Sequence, residues 1–288
     1  MPAFPLVDSH VHLWNPQQFL IPWLTGAGIL ERSYLSADYQ ALTGNVDIAA
    51  FVYVEVDVDP HYALLEAEWA HAQAAEEPRL QAIVAHAPVE HGTKVAGYLA
   101  ALDAIGPRIK GVRRLLQGEA DPNFCLQDSF IHGVQLVAHY NFSFDICIKQ
   151  HQLAAVIELV RRCPEVDFIL DHIGKPNIAH GLHEPWRTQM RSLAALPNVM
   201  CKISGVVTEA EHTRWTEADV EPYISHAIDV FGEDRVMFGS DWPVVRLASE
   251  YERWVACLER LTAGMSEQAQ RKLWSENARR AYKMVSSK

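Results

Sequence analysis

Eight short runs of β-branched and aliphatic residues, each separated from the next by a longer amphipathic stretch, constrain this chain more than any other feature of it. They are PLVDSHVHL (5–13), IAAFVYVEV (48–56), LQAIVAHAPV (80–89), IKGVRRLL (109–116), FSFDICIK (142–149), VDFILDHIG (166–174), NVMCKISGV (198–206) and VMFGSDWPV (236–244). Strands that are apolar on both faces belong in parallel sheets, and parallel neighbours need a crossover of a dozen or more residues, usually a helix. The intervening stretches supply these, with helices expected over 59–77, 93–105, 127–140, 152–163, 184–196 and 216–232, then 249–263 and 266–283 after the last run. Asp59-Pro60, Pro164 and Ser266-Glu267 punctuate them as helix starts and stops. Eight strand–helix units make an α/β chain that closes as a (β/α)8 TIM barrel.

Such barrels reach ~250 residues or more as one unit, so the 288 residues are read as a single domain over 1–288. No Gly/Ser linker or internal repeat divides them. Residues 14–45, rich in Pro, Trp and Leu, are too long for an ordinary βα loop and are expected to fold over the barrel mouth. With 49% hydrophobic and 21% charged residues the chain can bury a substantial core. Its 25 basic against 36 acidic residues, a net −11, disfavour nucleic acid and anionic membranes as partners and suit a small-molecule substrate. The start, MPAFPLVDSH, lacks the basic region of a signal peptide, and no ~18-residue apolar run occurs, so a cytoplasmic location is expected. Cys125, Cys147, Cys163, Cys201 and Cys257 form no CxxC pair and read as small core residues.

In such barrels the active site collects at the carboxyl ends of the strands, so the polar residues ending each run are the candidates for chemistry. They are Asp8-Ser9-His10-Val11-His12, Glu55, Arg113 with Arg114, Lys149 with His151 just beyond, Asp171-His172, Lys202 with Ser204, and Asp241. Side chains alternate across a strand, so His10 and His12 face the same side, a spacing that can grip one metal ion or one substrate group. Asp8 is expected to share that face and orient an imidazole. By the same alternation Arg113 points inward and Arg114 outward. Lys202 either pairs with an acid on a neighbouring strand or serves the site. His86, His91, His180 and His183 have no anchoring partner and read as surface residues.

In order, and over nearly the whole chain, DSHVHLW, KGVRRL, KQHQL, LDHIGKP, KISG and FGSDWPV resemble the amidohydrolase superfamily, more narrowly its branch of sugar-lactone hydrolases. The resemblance implies a catalytic constellation of His10, His12, His151, His172 and Asp241, with His10, His12, His151 and Asp241 as ligands where a divalent metal, often zinc, is bound. Some members of that branch work without a metal, and no bridging lysine is evident after the fifth run, so at most one ion is expected. For lactone hydrolysis Asp241 would take the proton of the attacking water and deliver it to the leaving alkoxide, with His172 polarising the carbonyl or orienting the water. Zinc on His10, His12 and Asp241, or the cations Arg113 and Lys149, would stabilise the oxyanion.

Glu55, Arg113 and Lys149 are the candidates for recognising a polyhydroxylated lactone, with Trp14, Trp23 and Trp242 as stacking surfaces. Overall resemblance favours L-fuconolactone among aldonolactones. A nonoxidative decarboxylase or an amide hydrolase can use the same histidine–aspartate set, and a catalytically silent binding barrel would leave the polar strand ends incidental.

Overall fold

The computed structural model describes residue 2 and residues 4–284. Among the described residues eight strands pair in parallel and in chain order: β1 (Leu6–Val11), β2 (Ile48–Val54), β3 (Leu80–His86), β4 (Ile109–Arg113), β5 (Ser143–Ile146), β6 (Asp167–Leu170), β7 (Val199–Ile203) and β8 (Val236–Phe238). β8 returns to β1 through a parallel bridge between Val11 and Trp242. There the Asp241 N–H donates to the His10 carbonyl (2.9 Å) and the His12 N–H to the Trp242 carbonyl (2.7 Å). The fold is the (β/α)8 barrel, and every apolar run holds a strand.

The strands stop sooner than apolarity suggests. Run 236–244 yields only Val236–Phe238, and run 166–174 only Asp167–Leu170. Beyond those ends His172 (φ 55°) and Asp241 (φ 61°) adopt left-handed backbone, which cannot continue a β ladder.

Alternation then sorts the side chains into two layers. Val7, Ala50, Val52, Val54, Ala82, Val84, Ile169 and Met237 meet inside the barrel, joined by Ala278, Tyr282 and Met284 from the end of the chain. Residues between them, such as Phe51, Tyr53, Ile83, Val112 and Phe144, pack with the surrounding helices. Those helices are α1 (Ser36–Leu42), α2 (Ala63–Gln73), α3 (Ala96–Ile105), α4 (Asp128–Val137), α5 (Leu153–Arg162), α6 (Trp186–Ala194), α7 (Glu217–Phe231) and α8 (Tyr251–Thr262). In α5 the buried Leu153, Val156, Ile157 and Val160 recur at helical spacing, which gives one apolar stripe against the barrel. Arg161 and Arg162 end it where cations complement the helix dipole. The helix expected over 266–283 is broken into α9 (Glu267–Arg271), a π turn (Lys272–Glu276) and α10 (Asn277–Ala281). The break seats Asn277 against β8, its amide donating to the carbonyls of Glu233 (2.8 Å) and Val236 (2.7 Å). All five cysteines are buried and unpaired, and no helix among the described residues is long and apolar enough to cross a membrane.

Segment 14–45 contains α1 and is pinched by reciprocal backbone bonds between Trp14 and Tyr34 (2.8 and 2.9 Å). Trp23 reaches the carboxyl end of β2, donating from Nε1 to the Val56 carbonyl (2.7 Å). α1 lies on the barrel flank instead, and its Tyr39 donates to Asp8 (2.9 Å), as does Tyr251 of α8 (3.0 Å). That contact overturns the expectation that Asp8 shares a face with His10 and His12. The β1–β2 register shifts between Asp8 and Val11, and a bulge of this kind resets alternation: Val7 points in, Asp8 out, and the two histidines in.

On the outer side of β2, Glu66 of α2 is buried with Oε1 accepting from the Tyr53 hydroxyl (2.7 Å) and the Val56 N–H (2.8 Å). Its Oε2 has no partner among the described residues. Burial, and then the nearby Glu55 charge, push this carboxyl from its ordinary 4.5 up to about 8. A folded pKa above the unfolded one means the unfolded chain ionises first, so stability falls as pH rises from about 4.5 and levels off above about 8. Glu66→Gln keeps the acceptor and removes the charge. It is expected to melt near the wild type at pH 5 and above it at pH ~8.5, by at least the ~2–4 °C that ~1 kcal/mol represents in a chain of this size; the same difference at both pH values would refute the assignment.

Candidate active site

Four residues named from the strand ends converge at the carboxyl end of the barrel. His10 Nε2 and His12 Nε2 lie 3.1 Å apart, and Asp241 Oδ1 lies 3.7 Å from His10 Nε2, 3.4 Å from His12 Nε2 and 3.9 Å from His172 Nε2. His12 Nδ1 donates to the Val54 carbonyl at 2.8 Å, which turns its Nε2 toward Asp241. His172 Nδ1 meets Ser204 Oγ at 2.9 Å. His172 and Asp241 hold these positions in left-handed backbone, at ~1–2 kcal/mol per non-glycine residue; strain of this kind is found where function demands a particular side-chain direction.

Burial opposes charge on Asp241, yet the imidazoles of His172, His12 and His10 hold its carboxyl below the ordinary carboxylate range, so it is ionised at neutral pH. Burial pulls His172 down to about 4 and His10 well below its ordinary value, so both are neutral there. The donor atoms of His10, His12 and Asp241 form a compact group able to hold a metal ion. Their edges of 3.1, 3.4 and 3.7 Å fit one tetrahedral ion, whose ligand edges are roughly 3.3–3.4 Å for bonds of ~2.0–2.1 Å.

Beneath this group lies a layer of buried charge. Lys202 Nζ contacts Asp145 Oδ2 (2.7 Å), Asp171 Oδ1 (2.9 Å) and His10 Nδ1 (3.1 Å). Arg113 donates from NH1 to Asp171 Oδ2 (3.1 Å), from Nε to Glu55 Oε1 (2.6 Å) and from NH2 to the Glu55 carbonyl (2.8 Å). The Tyr282 hydroxyl donates to Asp145 Oδ2 (2.6 Å). Asp171 also lies 3.2 Å from His10 Nδ1, so the carboxylate accepts the Nδ1 hydrogen and fixes the ring whose Nε2 faces Asp241. Burial disfavours charge on Asp171, but Lys202, His10 and Arg113 hold it well below its ordinary value.

Above the group opens a cavity of about 230 Å³ lined by His12, Arg113, His172 and Asp241, and also by Trp23, Asp57, Gln117, Cys147 and Lys175. Arg113 points in while Arg114 turns to Glu90 and Glu119, as alternation requires. Lys202 takes the structural pairing. His151 does not join the site: it is exposed on the 3₁₀ turn Gln150–Gln152 that opens α5, past the point where β5 could aim it inward. Lys149 is likewise exposed at the turn's start. Trp14 and Trp242 are fully buried packing residues, since both are drawn into an aromatic cluster with Tyr34, and so neither offers a stacking face. Glu55 is buried behind Arg113. Sequence reasoning missed Asp145, the one acid inside the fifth run and inward by alternation, and gave Asp171 no role. Asp57, Gln117 and Lys175 sit on loops, where no periodicity signals direction.

Residues 7–284 match the family model described as amidohydrolase. L-fucono-1,5-lactonase of Burkholderia multivorans is 33% identical over 294 residues, taking in 96% of this chain and 95% of that protein. L-rhamnono-gamma-lactonase of Scheffersomyces stipitis is 23% identical across 98% of this chain and 99% of its own. The crystal structure of an amidohydrolase from Burkholderia multivorans with bound zinc superposes with a TM-score of 0.88 at 31% identity, covering 98% of this chain and 100% of that one.

Gly205 follows β7 at φ 57°, and a Cβ there would stand 2.5 Å from His172 Nδ1. Gly205→Ala is expected to push the ring off Ser204, and a crystal structure of the variant should show the 2.9 Å contact opened beyond ~3.5 Å. A ring left in place would show that the glycine does not set the position of His172.

Proposed function

This chain belongs to the amidohydrolase family, and on that footing we propose that it hydrolyses a sugar-derived aldonolactone, L-fuconolactone by preference, to the open-chain aldonic acid. The observation that carries the reading is Asp241, an ionised carboxylate set among three imidazoles and facing a cavity in a chain similar throughout to an L-fucono-1,5-lactonase. At about 230 Å³ the cavity falls below the ~300–1,000 Å³ usual for drug-sized ligands, which supports a single-ring substrate.

Asp241 takes a proton from water as its oxygen attacks the lactone carbonyl carbon. The tetrahedral intermediate collapses by breaking the bond to the ring oxygen, and the proton held by Asp241 passes to that oxygen, leaving a hydroxyl and a carboxylic acid. A bare His172 Nε2 would set its lone pair against the Asp241 carboxylate, so we assign the hydrogen to Nε2, with the Ser204 hydroxyl donating to Nδ1. His172 then offers an N–H to the carbonyl oxygen. His10 Nε2, His12 Nε2 and Asp241 Oδ1 would hold a single divalent ion such as zinc, which when bound supplies a Lewis acid and a water of lowered pKa. Trp23 supports stacking on the apolar face of the ring, and Asp57 and Gln117 supply hydrogen-bonding groups for its hydroxyls.

Acid release followed with a pH indicator over a panel of aldonolactones tests this directly. L-fuconolactone is expected to be hydrolysed fastest, and Asp241→Asn to lower kcat by roughly 10²–10⁴-fold, the range general acid–base catalysis contributes. A chelator-treated sample run alongside divides water activation between Asp241 alone and bound zinc. Failure on every lactone, or full activity of the Asn variant, would overturn the reading.

A further inference from the structure

Lys175 stands at the end of an unusual piece of backbone. His172 (φ 55°), Ile173 (φ 48°), Gly174 (φ 73°) and Lys175 (φ 47°) are consecutive left-handed residues, closed by a bond from the Lys175 N–H to the His172 carbonyl (2.9 Å). Trp186 clamps the turn from α6, donating from Nε1 to the Ile173 carbonyl (2.8 Å). In a turn of three residues, side chains at i and i+3 eclipse. The strained turn therefore sends His172 and Lys175 the same way, and both line the cavity that Asp241 faces.

The two cations lining that cavity are Arg113 and Lys175. Arg113 is matched by Glu55 and Asp171 at 2.6 and 3.1 Å. Lys175 is not matched in this way: Nζ donates to the neutral Gln117 Oε1 at 2.6 Å, and the carboxylate it pairs with, Glu209, lies 3.9 Å away. An ammonium has three donors, so hydrogens remain for a ligand. Because Gln117 must present its oxygen to Lys175, its amide N–H₂ is turned elsewhere, and Gln117 lines the same cavity.

We propose that Lys175 is a catalytic residue whose ammonium donates to the oxyanion that forms when water adds to the lactone carbonyl, with Gln117 fixing the ammonium in place. The proposal rests on the lactonase reading. It replaces Lys149, which is exposed, and Arg113, whose charge is already matched, as the cation of the reaction. Lys175 keeps its proton throughout: the charge on the carbonyl oxygen appears as the water oxygen bonds to carbon and disappears when the ring C–O bond breaks, while the transferred proton travels by way of Asp241. A fixed donor aimed at developing charge acts on the transition state rather than on the bound substrate.

The test uses Lys175→Met and Lys175→Cys, each checked for a wild-type melting temperature, on the best lactone of the panel. Lys175→Met is expected to lose ~10²–10³-fold in kcat, the range for one oxyanion donor, with KM within about 3-fold. Treating Lys175→Cys with 2-bromoethylamine, which alkylates the thiol with loss of bromide and rebuilds an ammonium on a side chain of lysine's length with sulfur in place of Cγ, should restore at least a tenth of the activity. Wild type treated in parallel controls for Cys147. An active wild type with an equally active Met variant, a loss confined to KM, or no recovery on aminoethylation of a folded Cys variant overturns the assignment and leaves the lactonase reading standing. A wild type inactive on every lactone overturns both.

Discussion

Lys202 sits between Asp145 and Asp171, two carboxylates that would otherwise repel one another inside the barrel, and the rest of the site is built on that bridge. Burying such charges is costly, and their mutual attraction offsets the cost only where the geometry is good and the remaining polar atoms are bonded. Here Tyr282 completes Asp145, Arg113 completes Asp171, and Glu55 completes Arg113. The result is a rigid charged floor with His10 standing on it, held at Nδ1 and turned at Nε2 toward Asp241. The apolar inner cluster seals the floor from the other end, so Ala278, Tyr282 and Met284 support a site formed by the first and eighth strands.

On that floor the active groups are fixed by backbone that no ordinary strand would adopt. His172, Lys175 and Asp241 all have positive φ. Their positions are over-determined by neighbours: Gly205 leaves room for His172, Trp186 clamps the turn before Lys175, and the bond from Asp241 N–H to His10 ties β8 to β1. A carboxylate held ionised beside neutral imidazoles is suited to accept a proton from water, while the floor's own cations, Arg113 and Lys202, are matched by its carboxylates, which leaves Lys175 as the cation least matched in the cavity.

How far the sequence reveals this depends on the range of the signal. Apolar runs and alternation with a period of two are both local: the runs gave the eight strands, and alternation gave the inward pair His10 and His12 and the split between Arg113 and Arg114. It failed at Asp8 because a bulge set by pairing with β2 shifts the phase by one residue. It failed at His151 because β5 ends at Ile146 and the chain turns before reaching that ring. Trp14 and Trp242 were misread because whether an aromatic at a rim faces the cavity or the packing is decided by partners distant in sequence, here Tyr34. Lys175 depends on a left-handed turn that a sequence of DHIGK does not announce beyond its one glycine.

The central claim, that the Lys202 bridge holds the floor of the site, is tested most directly by chemical denaturation of Lys202→Met at neutral pH. Met is close to Lys in volume, so the loss is one of charge, leaving Asp145 and Asp171 buried without their shared partner. The account predicts a loss of ~3–5 kcal/mol, the range for removing one member of a buried pair. A variant within ~1 kcal/mol of the wild type would contradict it, because the carboxylates would then need no bridge.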